Sequence, residues 1–225
     1  MSHTRRLAFV AGALYLLTVV TSIPALALKD PVLADPAALD PSGTTALQWA
    51  AALELVLALA CIGTAVALFP VVRRVDEAAA LGFVGSRTLE ASIIVTGILA
   101  MLGLTVAGPA SPALVGVHDW AFLLGPGTLP AVNALLLAPL LLRARLVPRI
   151  IPVVGLIGAP LLLAAAAGSL FGLIDQVSPA GLLSAVPIAA WEITLGVWLV
   201  VKGFNTEAVD RLYASVPTFE LVDAH

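Results

Sequence analysis

Along this chain long apolar runs alternate with short polar breaks, and the length of each run sets the predicted element. The run 7–28 carries no charged residue, enough for a helix that needs about 20 residues to cross about 30 Å of hydrocarbon. Arg5-Arg6 before it and Ala25-Leu26-Ala27 within it also suit a cleaved leader. The run is longer than the ~7–15 apolar residues of such leaders and is matched by similar runs downstream, so it is read as a span. Further runs at 46–72, 82–107, 120–142, 150–174 and 182–201 give six predicted transmembrane helices. The expected fold is an all-α integral membrane bundle in one domain, 1–204, with a short cytoplasmic tail at 205–225.

The breaks have their own character. Positions 29–45 hold Asp30-Pro31, Asp35-Pro36 and Asp40-Pro41; proline removes a donor and turns the preceding residue out of the helical region, which predicts a loop of turns or short interfacial pieces. The three aspartates lack the spacing of a calcium loop and are read as turn formers. A second loop is expected at 108–119. GPGTLP at 125–130 should kink or break span four, and a broken helix survives in a membrane only under cover of protein or beside a wet cavity. Gly168 and Gly172 are spaced for close helix packing, within the chain or in a homo-oligomer.

Composition confirms the solvent. The chain is 60% apolar and 11% charged, against about 25% charged in soluble domains. A net charge of -3 and basic runs no longer than a pair exclude a nucleic-acid partner, because phosphate binding needs clustered cations. The lone Cys61 excludes an intramolecular disulfide and reads as a small buried hydrophobe. Arg5, Arg6, Arg73, Arg74, Arg143, Arg145, Arg149, Lys202 and Arg211 all fall on the side of the termini, and Lys29 alone opposite. By the positive-inside rule both termini are expected in the cytoplasm. Trp49, Trp120 and Tyr15 sit where interfacial anchors would, whereas Trp191 and Trp198 lie inside span six and should pack against other helices.

The candidate chemistry lies in charges within the spans. Arg87 and Glu90 stand one turn apart in span three, Glu54 in span two and Glu192 in span six. Each charge at the bilayer centre costs about 2.5–3.5 kcal/mol on insertion scales, so each needs a partner. Counting depth at 1.5 Å per residue places Arg87, Glu90 and Glu192 in one inner cluster and Glu54 in a higher layer. Arg87 and Glu90 read either as a structural clamp or as part of a site; Glu192, with no basic neighbour on its own helix, is the candidate proton carrier.

Enzyme signatures are poor. His118-Asp119 at the mouth of span four supplies half a metal or acid/base site at most, and Ser86, Ser92 and Ser169 have no histidine at their depth. Asn133 reads as interhelical glue. There is no phosphate-binding glycine loop, so no catalytic residue, cofactor or metal is assigned. The partners expected are the lipid bilayer and a small lipophilic ligand.

The segments AGALYLLT, ALFPVVRR, LGFVGSRTLEA, RLVPRIIPVVGLIGAP and WEITLGVWLVVKGF resemble, in order, the bacterial six-span membrane family called domain of unknown function 4386. The resemblance runs from about Leu7 to Phe204. It implies a compact six-helix bundle in the bacterial cytoplasmic (inner) membrane, with Arg87, Glu90 and Glu192 at the family's polar positions. It brings no activity, and GPGTLP departs from the smoother fourth span it implies. Three functions follow as expectations: binding or transport of a small or lipophilic molecule with titrating carboxylates, a non-catalytic scaffold or regulatory subunit, and a lipid-modifying enzyme.

Overall fold

A computed structural model describes residues 2–107, 111–174 and 178–214. It holds α1 (His3–Ala34), a 3-10 turn (Pro36–Ala38), α2 (Pro41–Val72), α3 (Glu77–Ala107), α4 (Pro112–Leu124), α5 (Leu129–Ala144), α6 (Ile150–Leu170), α7 (Pro179–Val201) and α8 (Thr206–Ala214), with no strand among the described residues. Six segments are long and apolar enough to cross a membrane, and α4 and α5 together form the fourth, Pro112–Ala144. The chain is a multi-pass helical bundle.

Each span packs on its neighbours in sequence, and α7 returns to α1, closing a ring. Small residues make the closure tight. A Cβ on Gly12 would stand 2.6 Å from the Gly196 carbonyl oxygen, and one on Gly155 2.7 Å from the Trp191 ring. At the same end of the ring, Arg5 donates to the carbonyls of Leu199, Val200 and Val201 at 2.8, 2.7 and 3.0 Å. The first and last spans therefore meet side by side, and the ring has a terminal end and a far end. Leu59, Val20, Leu99 and Ile157 project outward, as lipid-facing residues should.

Several predicted boundaries shift, each for a local reason. The first break does not begin at Lys29: α1 continues through Asp30-Pro31 to Ala34, because Lys29 in this turn is buried against Glu54 of α2. Of the three Asp-Pro steps, the second opens the 3-10 turn and the third caps α2, where Asp40 Oδ1 accepts from the Gly43 N–H at 2.7 Å. Positions 112–119 of the second expected loop are helical, since Pro112 sits in the first turn of α4, where its missing donor costs nothing; 108–110 lie outside the described residues.

Gly172 meets no other described part of this chain and lies past the end of the helix. α6 stops at Leu170 and Gly172 takes the left-handed conformation, φ 70°. The Leu173 N–H donates to the Gly168 carbonyl at 2.8 Å and the Gly172 N–H to Ser169 at 3.1 Å, a Schellman end. Gly168 lies under Ile174 of its own chain. The expected polar tail begins with the helix α8, which buries Ala208 and Val209 against the terminal end; 215–225 lie outside the described residues.

Candidate functional site

The polar side chains inside the ring form two layers. The layer nearer the terminal end centres on Arg87, which is 1% exposed. Its Nη1 donates to Glu90 Oε2 at 2.9 Å and its Nη2 to Glu192 Oε1 at 2.8 Å. Asn133 Nδ2 donates to the same Glu90 oxygen at 2.7 Å. Cys61 Sγ lies 3.6 Å from Nη1, and the Tyr15 ring lies 5.1 Å from the guanidinium carbon. Five of the six spans thus converge on one guanidinium.

The cluster predicted from sequence is present. Arg87, Glu90 and Glu192 come together from α3 and α7, and Cys61 is buried as expected. Tyr15 is a correction: it is 1% exposed and faces Arg87, so it is not an interfacial anchor. Glu54 stands apart, seven residues from Cys61 along α2, which is about 10 Å at 1.5 Å per residue.

Charge counting separates the layers. In the first, one guanidinium faces two carboxylates, a formal excess of one negative charge if all three are ionised. The two carboxylates are not equivalent: Glu90 receives both Arg87 and Asn133 and is buried, while Glu192 receives Arg87 alone and its side chain is 15% exposed. Arg87 Nε and Asn133 Oδ1 are buried with no hydrogen-bond partner, leaving a donor and an acceptor open at the same centre.

The second layer is balanced. Lys29 of α1, only 2% exposed, donates to Glu54 of α2. Its Nζ also lies 3.2 Å from Nε2 of His118 and 4.6 Å from the centre of the Phe122 ring, both on α4. An ammonium can only donate, so Nε2 is the acceptor and the neutral ring carries its proton on Nδ1, 3.4 Å from Asp119 Oδ1. Asp119 faces outward with a side chain 65% exposed. A chain of exchangeable groups thus runs from the surface through His118 and Lys29 to Glu54.

Sequence reasoning left Lys29 in a loop and His118 as an isolated interfacial residue; the structure buries both. The signal was Glu54 itself, an acid deep in span two that required a cation at its own level. Lys29, the one basic residue assigned to the far side, was the available partner.

The GPGTLP break lies beside this layer. Its freed groups are met locally: the Gly127 N–H donates to the Phe122 carbonyl at 2.9 Å, and Thr128 Oγ1 donates to the Leu123 carbonyl at 2.8 Å. The break opens an apolar cleft of about 110 Å³ against α6 and α7. Phe122 and Pro126 line both this cleft and the small space around Lys29, Glu54 and His118. No group of three or more metal-binding side chains is found among the described residues. Compared with known proteins, the chain matches over residues 10–203 a family model described as Domain of unknown function (DUF4386). No curated protein and no solved structure matches it.

Proposed function

The chain belongs to the DUF4386 family, whose description assigns no activity, and from its geometry we propose that it binds or transports a small lipophilic molecule, coupled to a proton held at its intramembrane carboxylates. One observation carries the reading: Arg87 stands between Glu90 and Glu192 in a buried, low-dielectric interior. Two ionised carboxylates around a single guanidinium leave one negative charge uncompensated, which is costly away from water. A proton on one carboxylate removes it.

Glu192 is the one that takes the proton. Glu90 has two donors to lose on protonation and Glu192 has one, and Glu192 is the more exposed. Protonation weakens the tie from Arg87 on α3 to α7, so the proton would loosen a contact across the ring. The apolar cleft at the GPGTLP break, between α4, α6 and α7, offers the lipophilic space such a coupling would act on.

Infrared difference titration of the reconstituted protein tests this. The expected result is a protonated-carboxyl C=O band at neutral pH that disappears in Glu192→Gln and persists in Glu54→Gln. A wild-type spectrum without that band, or a band unchanged in Glu192→Gln, would sink the reading.

A scaffold is the second reading, favoured by Arg87 joining helices that are not sequence neighbours. A double-mutant cycle on Arg87 and Glu192 speaks to it. Coupling near the ~0.6 kcal/mol usual for polar pairs in membranes, with no proton signal, fits a clamp alone.

A further inference from the structure

A further concavity is remote from both polar layers. It lies at the terminal end, between the α5–α6 turn and the α7–α8 turn, with a volume of about 650 Å³. Its rim carries three cations, Arg145, Arg149 and Lys202, and no acidic residue lines it. All three are exposed, and none has an ion-pair partner among the described residues. We propose that this basic cavity binds the phosphate headgroup of an anionic phospholipid from the surrounding membrane.

Three observations converge on that chemistry. The first is the field. The C-terminal end of α7 would ordinarily contribute negative potential from its free carbonyls, but Arg5 already occupies the carbonyls of Leu199, Val200 and Val201. The N-terminal end of α8 faces the cavity instead, since Asn205 and Thr206 line it. A helix N-terminus adds backbone donors and positive potential to the three cations.

The second is the backbone of Arg145. It is the one non-glycine residue with positive φ among those described, at 55°. The turn is a Schellman end, with the Leu146 N–H donating to the Leu141 carbonyl at 3.0 Å. That position suits glycine, and an L side chain there costs about 1–2 kcal/mol. An arginine held at this cost, with its side chain on the rim of a basic cavity, is explained by what the side chain does.

Depth is the third. Trp198, one turn inside the end of α7, forms part of the wall, and tryptophan is favoured at the headgroup level. The two turns are also fixed to each other, since the Asn205 N–H donates to the Leu146 carbonyl at 2.9 Å. The cations thus surround a preformed space at the level where lipid phosphates lie, the setting in which basic pockets between membrane helices take headgroups.

The test titrates the full-length protein in detergent micelles with phosphatidylglycerol, and in parallel with zwitterionic phosphatidylcholine, reading adducts by native mass spectrometry. Wild type should retain phosphatidylglycerol in clear excess, and each cation removed should lower that retention about fivefold. Arg145→Gly is the informative variant: glycine suits the backbone, so its melting temperature should hold or rise while its lipid adducts fall. Arg149→Gln and Lys202→Gln should complete the loss. Equal retention of the two lipids by wild type, or undiminished phosphatidylglycerol binding in the triple variant, overturns the proposal. So does displacement of the lipid by millimolar inorganic phosphate, which would make the ligand a free anion.

Discussion

Lys29 shows how one residue can set where a helix ends. Its burial against Glu54 extends α1 past Pro31, because a buried carboxylate without its cation costs more than an imperfect helical turn. Lys29→Met should therefore destabilise the protein by about 3–5 kcal/mol, and Lys29→Met with Glu54→Leu should recover most of the loss, since removing both charges removes the desolvation penalty as well. Thermal unfolding in detergent of the single and double variants checks this. A double variant no more stable than the single would mean that His118 and Phe122 need the charge too. At this scale the sequence was half legible. The acids inside the spans stood out because lipid makes them anomalous. Their partners were less plain: Lys29 stood at a span end and Tyr15 read as an interfacial anchor, while Asn133, read as interhelical glue, does join α5 to Glu90 of α3.

Elements were legible wherever hydropathy alone decides and illegible where a cap or a close approach decides. The six apolar runs emerge as six spans, but the glycines that matter could not be ranked from spacing. Gly168 and Gly172 have the spacing of a packing motif and serve to end α6. Gly12 has no such spacing and lets α1 and α7 touch. Gly12→Ala should cost about 1–3 kcal/mol, the range for overpacking, because its Cβ would meet the backbone oxygen of Gly196 at 2.6 Å. Gly168→Ala should change the melting temperature little, since the atoms nearest its Cβ all belong to the Ile174 side chain, Cδ1 first at 2.9 Å, and that side chain can turn aside.

The cap of α2 makes a pH prediction at the same scale. Hydrogen bonds from the Gly43 N–H and the Ser42 hydroxyl hold the Asp40 carboxyl below its ordinary range. A depressed value in the folded state means that the ionised cap stabilises above the ordinary carboxyl range and is lost as pH falls through the lowered value. Asp40→Asn should flatten the acid limb of the melting-temperature profile while keeping the cap. An identical acid limb in the variant would assign the effect elsewhere.

For the whole molecule, the ring separates an apolar exterior from an interior where Lys29 pairs with Glu54, and Arg87 with Glu90 and Glu192. Leu59, 63% exposed on the outer face of α2, and Cys61, two residues on and 1% exposed, show how abruptly the environment changes. Leu59→Arg should lower the membrane-inserted fraction on expression by an amount equivalent to about 2.5–3.5 kcal/mol, the insertion cost of arginine at a helix centre; insertion at wild-type level would place this face against another protein. Between the two polar layers, Leu57, Ala58, Ala91 and Ile94 fill the ring, a slab about 10 Å deep by the α2 rise. Such a slab is a low-dielectric barrier between two polar layers, and at about 10 Å of the roughly 30 Å hydrocarbon core it takes a share of the membrane voltage. A charge passing from one layer to the other would do electrical work in proportion to that share, at most about 2.3 kcal/mol per 100 mV, so that this short hydrocarbon plug makes any such passage answer to the membrane potential as well as to pH.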